Sequence, residues 1–363
     1  NGAGKLANLQ TIENTTPGAT ELHQLLALFS NNKITDVAME VSSHALAQKR
    51  VDATLFKTAV FTNLSRDHLD YHHTMAAYAD AKKAIFTGDN KQVAIINGDD
   101  PQAKTWLENW PSTQAVVVYG RDENVANYQR FAQAKQVKHS ATGVSFQLVT
   151  EQGECEIRSR LLGDFNVENL LAAIAVLMVE KIDLITIAEA ITQLEPIIGR
   201  MEAFSGTAKP TAVVDYAHTP DALASALDAC RLHCHGKLWL VFGCGGDRDV
   251  GKRALMAQVA ENKADHIIIT NDNPRSEDPE AIAADIIAGF TKNTGFEKIL
   301  DRTTAVLTAL EKADADDVVL CAGKGHEDYI IFGTQKHHYD ERAVVQSFYS
   351  AQSEQAAEQG VTL

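Results

Sequence analysis

The sequence has few cysteines, and none of them form a motif. There are five in 363 residues, Cys155, Cys230, Cys234, Cys244 and Cys321, and no C-x-x-C pair. That excludes a disulfide framework and leaves reduced, buried thiols in a cytosol as the expectation. Cys230, His233, Cys234 and His235 do cluster, but no second pair closes a zinc site; the segment reads as a helix end with Gly236 as its cap. No apolar stretch approaches the roughly 20 residues of a membrane helix, and no signal peptide is visible. Positive charge is also short: 33 Lys and Arg stand against 48 Asp and Glu, a net charge of −15. This argues against nucleic-acid or anionic-membrane partners, so an anionic ligand needs local positive charge working against the global field.

Two phosphate motifs are missing as well. Gly4-Lys5 is followed by Leu6, so there is no G-x-x-x-x-G-K-[ST] loop. Gly243-Cys244-Gly245-Gly246-Asp247-Arg248 resembles a phosphate-binding turn but is not G-x-G-x-x-G, which makes a nicotinamide oxidoreductase a weak rival. Asn1-Gly2-Ala3-Gly4-Lys5 lacks an initiator methionine and reads as a loop, so the chain is expected to be a piece of a longer protein. There are no repeats and no low-complexity tract.

What is present is α/β patterning. Asp36–Val41, Thr58–Asn63 and Gln92–Asn97 read as short apolar strands, and Met75–Phe86 as a helix with Thr74 at its N-cap. Period-two alternation over Asn127–Leu162, with Gly143 and Gly153 as turns, predicts an antiparallel meander. Helices follow at Asn166–Glu180 and Leu184–Leu194, and Glu195-Pro196-Ile197-Ile198-Gly199 breaks the pattern. A second series then alternates strands Thr211–Asp215, Leu238–Phe242, His266–Thr270 and Asp317–Cys321 with helices Asp221–Leu232, Arg253–Asn262, Glu280–Thr291 and Thr303–Lys312. A hairpin is expected around Gly333, and a polar, frayed tail from Ala351. The fold class expected is α/β, with two doubly wound three-layer domains spanning residues 1–198 and 199–363.

Polar clusters stand where strands end, which is where open α/β sheets bind ligands. Glu40-Val41-Ser42-Ser43-His44 suits Mg²⁺ or phosphate, or equally a capped helix start. Thr62–His72 is too dense in histidines and carboxylates for an ordinary solvated loop, and Lys82 lies on a helix that could return to it. Asn166 and Asn169, three apart, put two amides on one helix face, able to pair with a nucleobase edge, while Asn166 can also serve as an N-cap. Gly199-Arg200-Met201-Glu202 offers a phosphate clamp or a salt bridge between domains. Asp215 ends a strand and can hold a ribose hydroxyl. Asp272-Asn273-Pro274-Arg275 is pre-shaped by its proline: Asp272 suits an ammonium, and Arg275 a carboxylate. Gly323-Lys324-Gly325-His326-Glu327 follows a fourth strand of the same domain, and the four strand ends would build one rim.

In order and spacing, Glu40–His44, Thr62–His72, Gly163–Asn169, Gly199–Glu202, Asp215–Pro220 and Gly323–Glu327 resemble the Mur ligase family over almost the whole chain. Asp-Asn-Pro-Arg resembles the loop of members that add meso-diaminopimelate; members that add lysine lack that arginine. The resemblance implies an ATP- and Mg²⁺-dependent, ADP-forming ligase of cytoplasmic bacterial peptidoglycan precursor synthesis. It implies that Arg248, Asp272, Asn273, Pro274, Arg275, Gly323 and Glu327 bind meso-diaminopimelate. Thr15, Thr16, Ser42, Gln48 and Arg50 would bind UDP-N-acetylmuramoyl-L-alanyl-D-glutamate. Asn166, Asn169, Arg200 and Asp215 would contact ATP, with Arg200 also catalytic. Glu40, His68 and Lys82, the last as a carbamate, would hold the metal, His68 and Lys82 being catalytic. His218 and Glu327 are both open as the base for the incoming amine. The resemblance also implies an N-terminal UDP-binding domain and a Gly-Lys-Thr phosphate loop that this sequence lacks, so the chain alone is expected not to turn over ATP. A monomer is expected. The other readings are a folylpolyglutamate synthase-like ligase and a non-catalytic ligand-binding fragment.

Overall fold

The structure is a computed structural model that describes residues 2–3, 10–12, 14–65, 68–87, 92–140, 142–292 and 295–358. Arg66 and Asp67 of the Thr62–His72 cluster lie outside the described residues.

The first of two six-stranded sheets runs in the order Thr58–Phe61, Val93–Asn97, Val116–Gly120, Phe131–Ser140, Gly143–Thr150 and Gly153–Ser159. Its first four strands pair in parallel. Ile95, Ile96, Val117 and Val118 are fully buried, as aliphatic runs in central parallel strands should be. Phe61, Phe86 and Trp106 pack one face. The expected meander is realised as the last three strands, and Gly143 is required there: a Cβ would stand 2.0 Å from the Ser159 carbonyl oxygen.

Asp36–Val41 does not form the strand expected of it. Apolar content alone does not make a strand; a ladder partner is needed, and none of the described strands pairs with it. Its carboxyl end is tied instead to Thr16, whose hydroxyl donates to the Glu40 carbonyl (2.9 Å) and accepts from the Ser42 amide (2.9 Å).

The second sheet runs Phe296–Lys298, His266–Ile269, Leu238–Phe242, Val318–Ala322, Thr211–Asp215 and Glu202–Phe204. The first five are parallel and the last is an antiparallel edge. Alternate residues face opposite layers. Val213, Leu240 and Leu320 pack with Leu223, Leu227, Met256 and Ile282 of three helices. Val214, Val241 and Cys321 pack with Ala305, Val306, Leu310 and Val345 of two others. Both faces are therefore covered, the doubly wound arrangement that the strand–helix alternation predicts.

Three of the helices that follow these strands start one residue earlier than expected. Pro220 and Pro279 occupy first-turn positions behind the caps Thr219 and Asp278, and Asp301 caps the helix Arg302–Lys312. Gly236 is not the helix cap: Pro220–His233 ends at Cys234, and the Gly236 amide donates to the Asp316 carbonyl (2.8 Å). The C-terminal helix runs Glu341–Glu358, past the Ala351 where fraying was expected.

Residue contacts divide the chain into two compact units, one of residues 1–135, 148–154 and 168–184, the other of residues 136–147, 155–167 and 185–363. Among the described residues, no helix is long and apolar enough to cross a membrane.

Candidate active site

Because strands Thr211–Asp215, Leu238–Phe242, His266–Ile269 and Val318–Ala322 are neighbours and parallel, their carboxyl ends lie along one edge. The loops that leave them are tied together by side chains. Asn273 is the hub: its Nδ2 donates to Glu327 Oε2 (2.9 Å), and its Oδ1 accepts from Lys324 Nζ (3.1 Å) and the Ile331 amide (2.9 Å). Lys324 also reaches Glu327 Oε2 at 2.8 Å and Asp272 Oδ1 at 3.8 Å. Gly323 lets Asp272 close in, since a Cβ there would meet Asp272 Oδ2 at 2.8 Å. Burial pushes the Glu327 carboxyl up, but the Lys324 and Asn273 hydrogen bonds outweigh it and hold the group below the usual range for a glutamate.

Arg275 takes a left-handed backbone, with φ of 53°. Its amide donates to the Ile331 carbonyl (2.9 Å) and its carbonyl accepts from Gly333 (2.6 Å), which fastens the loop to the hairpin Tyr329–Phe332 and Gln335–His338. Nη1 donates to the Gly246 carbonyl at 2.8 Å and so aims the guanidinium. Arg248 is exposed; both arginines flank Gly245, where a Cβ would stand 2.9 Å from Arg275 Nη1 and 3.8 Å from Arg248 Cγ.

At the end of Thr211–Asp215, the Asp215 carboxylate accepts from the Met201 and Ala217 amides, both at 2.8 Å. Burial raises its pKa, opposed by those two amides and by Arg200 and His218. Arg200 lies over the Tyr216 ring at 4.8 Å, so the arginine and Asp215 do share one corner. Glu202 meets Arg342 through two hydrogen bonds (2.6 and 2.8 Å) and accepts from the Gly199 amide. Asn166 and Asn169 lie on the helix Asp164–Val179. The N-cap reading of Asn166 fails, because the helix has already begun at Asp164; its side-chain amide instead donates to the Leu162 carbonyl at 2.8 Å.

In the N-terminal unit, Arg50 donates to Gln48 Oε1 (2.9 Å) and to the Thr16 carbonyl (3.1 Å), while Thr16 bonds Ser42. Thr16, Ser42, Gln48 and Arg50 thus form one group; Thr15 is exposed beside it. Beyond Glu40, which is exposed, a second group gathers. Ser43 Oγ meets His72 Nε2 (2.9 Å), the His44 ring is 4.9 Å from that of His68 and 4.2 Å from Tyr71, and Lys82 Nζ is 5.1 Å from the Tyr78 ring centre. His68 and Lys82 both approach Tyr78, so the helix does return to the Thr62–His72 loop. The described residues contain no group of three or more His, Cys, Asp or Glu arranged to hold a metal unaided.

Lys324, fully buried, was named in the sequence only as part of the Gly323–Glu327 cluster and given no role of its own. Arg302 and Glu341, also fully buried and paired under the rim, were not singled out in the sequence at all. Arg302 donates to the Asn271 carbonyl (3.0 Å) and the Ala322 carbonyl (2.9 Å), the residues just before Asp272 and Gly323.

Two family models match in the order this layout requires: the Mur ligase middle domain over residues 3–177, and the Mur ligase glutamate ligase domain over residues 199–325. A curated relative from Vibrio vulnificus (strain YJ016), named UDP-N-acetylmuramoyl-L-alanyl-D-glutamate–2,6-diaminopimelate ligase, is 44% identical over 352 residues, 97% of this chain and 71% of its own length. The chain belongs to the Mur ligase family. A solved structure of a ligase with that same name aligns with a TM-score of 0.74 at 38% identity, covering 97% of this chain and 73% of that one. The Mur ligase fold extends to more distant structures: MurF ligase from Thermotoga maritima in complex with ADP (15% identity, TM-score 0.58, 87% of this chain and 66% of that one) and a folylpolyglutamate synthase from Thermotoga maritima (18%, 0.56, 76% and 59%). At those identities the likeness concerns the fold alone.

Proposed function

We propose that this chain is the nucleotide- and amino-acid-binding part of an ADP-forming ligase. The enzyme joins meso-2,6-diaminopimelate to UDP-N-acetylmuramoyl-L-alanyl-D-glutamate in bacterial, cytoplasmic peptidoglycan precursor synthesis. The observation that carries the reading is the rim loop Asp272–Arg275, with Asn273 bonded to Glu327 and Lys324 and Arg275 aimed by the Gly246 carbonyl. The 44% identity to the Vibrio relative supports the same reading. Residues 1–198 form the ATP-binding domain and residues 199–363 the amino-acid-binding domain.

The reaction is an activation followed by an aminolysis. The D-glutamyl γ-carboxylate attacks the γ-phosphorus of ATP, and ADP leaves with the electrons of the broken bond. The amine then attacks the acyl carbon, a C–N bond forms and phosphate departs. Arg200 and Asp215, which share one corner, are residues for ATP, as are Asn166 and Asn169 on their own helix, and Arg200 balances the charge that develops on the transferred phosphoryl group. Thr15, Thr16, Ser42, Gln48 and Arg50 bind the UDP-muramoyl dipeptide. Arg248, Asp272, Asn273, Pro274, Arg275, Gly323 and Glu327 bind diaminopimelate, with Arg275 on the carboxylate far from the reacting amine.

The amine must lose a proton before it attacks. His218 suits this better than Glu327: the lowered pKa of Glu327 makes it a weak base, whereas His218 bonds the Tyr216 carbonyl through Nδ1 (2.9 Å), leaving Nε2 as the acceptor.

Glu40, His68 and Lys82 are the residues for Mg²⁺. Glu40 is an exposed carboxylate, and His68 and Lys82 both lie against Tyr78; a carboxylate and an imidazole suit an ion that takes its remaining ligands from phosphates and water, and Lys82 fits only once carbamylation has replaced its ammonium by a carboxylate-like end. Bound there, the ion would offset phosphate charge.

The test is ADP release by the full-length protein carrying this chain. Release that requires both the UDP-muramoyl dipeptide and diaminopimelate is expected. Release with folate and glutamate instead, or with neither substrate required, would overturn the reading.

A further inference from the structure

The charges inside the rim carry one more step. Asp272 is a buried carboxylate and Glu327 a half-buried one, and Lys324 reaches both from within, while Arg275, on the same loop as Asp272, is aimed by the Gly246 carbonyl. Lys324 does not snorkel to solvent, as a lysine ordinarily would; it is fully buried between Asn273 Oδ1, Glu327 Oε2 and Asp272 Oδ1, and its Nζ lies 5.4 Å from the Tyr329 ring centre. Arg248 and Asp247 are exposed nearby, and Asp247 is engaged by Ser276. Counting Arg248 with Asp247, the charges of Arg248, Arg275 and Lys324 balance those of Asp247, Asp272 and Glu327 before any ligand arrives.

We propose that Lys324 is a specificity-determining positioning residue, an internal countercharge that keeps the amino-acid pocket neutral so that it accepts a doubly zwitterionic diamino acid and disfavours a cationic one. This rests on the proposed function. Diaminopimelate carries two ammonium and two carboxylate groups and enters a neutral pocket without net charge. Lysine carries one extra positive charge and gains nothing from a neutral pocket. Without Lys324, Asp272 and Glu327 lose the one cation that contacts both, the pocket carries one net negative charge, and a cationic amino acid becomes the better match. Lys324 also holds Asn273 and Glu327 in the orientation that their mutual hydrogen bond requires, so its loss acts on amino-acid KM before kcat.

The experiment measures kcat/KM for diaminopimelate and for lysine in the full-length protein, comparing wild type with Lys324→Met, Lys324→Arg and the double variant Lys324→Met/Glu327→Gln. The ratio of diaminopimelate to lysine is expected to fall about tenfold or more in Lys324→Met, through KM. The double variant, neutral again, should recover most of the ratio, and Lys324→Arg should keep it. Equal losses for both amino acids, or a double variant no more selective than the single one, would overturn the proposal and leave Lys324 a purely structural residue. If Lys324→Met does not fold, the double variant decides alone: a ratio as low as about one-tenth of wild type would contradict the countercharge. Wild type failing to use diaminopimelate at all would instead refute the proposed function, a result visible before any variant is compared.

Discussion

At the scale of single residues, the rim depends on cations that composition does not reveal. Lys324 sits in Gly-Lys-Gly at a strand end, and only the packing of Asn273 and Glu327 around it shows its burial. Arg302 and Glu341 are 39 residues apart and meet only in the folded chain. Glu341 also accepts from the Tyr339 hydroxyl at 2.9 Å, so each charge is multiply bonded. Arg302→Met strands that carboxylate and the Asn271 and Ala322 carbonyls together, and is expected to cost about 3–5 kcal/mol. Arg302→Met/Glu341→Leu should recover much of that, since removing both charges avoids the uncompensated one. Urea unfolding of the two variants checks this; equal losses would show that the pair is not what holds the strand ends.

At the scale of elements, the long parallel strands were legible and the short edges were not. His266–Ile269 and Leu238–Phe242 announce themselves as aliphatic runs. Phe296–Lys298 and Glu202–Phe204 are three residues each, half charged or half exposed, and owe their strand state to a neighbour's ladder. Val116–Gly120 was passed over although its three valines and a tyrosine carry a strand signal. Asp36–Val41 was the opposite case, an apolar run that forms no ladder with any described strand.

Two junctions are open to test. Gly199 has φ of 67°, and a Cβ there would stand 2.1 Å from the Gly325 carbonyl carbon, whereas Gly333 has φ of 58° and open space around it. Gly333→Ala should cost only the backbone conformation, about 1 kcal/mol, and Gly199→Ala distinctly more because two backbones must part. Matching shifts in melting temperature would contradict that close approach.

His233 is the other junction. Its Nε2 accepts from the Gly163 amide (2.9 Å) and its Nδ1 faces the Ser140 carbonyl (2.5 Å), so the ring must be neutral with the proton on Nδ1. Burial, with His139 nearby, lowers its pKa against the opposing Ser140 carbonyl and Asp164. A depressed folded value means that the contribution is full above the unfolded pKa of about 6.5 and is lost as pH falls through the folded one. Stability should therefore drop on the acid side in wild type and drop less in His233→Gln; melting curves from pH 5 to 8 would show parallel profiles if the ring played no part.

At the scale of the whole molecule, the loops along the edge of the second sheet were placed from the sequence more completely than the residues of the N-terminal unit. Four strands of one sheet end in polar loops, and parallel pairing makes those ends neighbours whatever the loops contain. Period and punctuation were enough to place them. The N-terminal residues have no such rule: Thr16, Ser42, Gln48 and Arg50 come together through single hydrogen bonds rather than through a sheet edge. Arg66 and Asp67 lie outside the described residues. A net charge of −15 sets the background against which local cations must act on anionic substrates. Among those cations Arg275 bears the central claim, that one guanidinium selects the incoming amino acid by its distal carboxylate. The direct measurement is the ratio of kcat/KM for diaminopimelate over lysine in wild type and Arg275→Ala of the full-length protein. The account predicts a fall of about two to four decades, the cost of leaving a desolvated carboxylate without its partner. An unchanged ratio would contradict it.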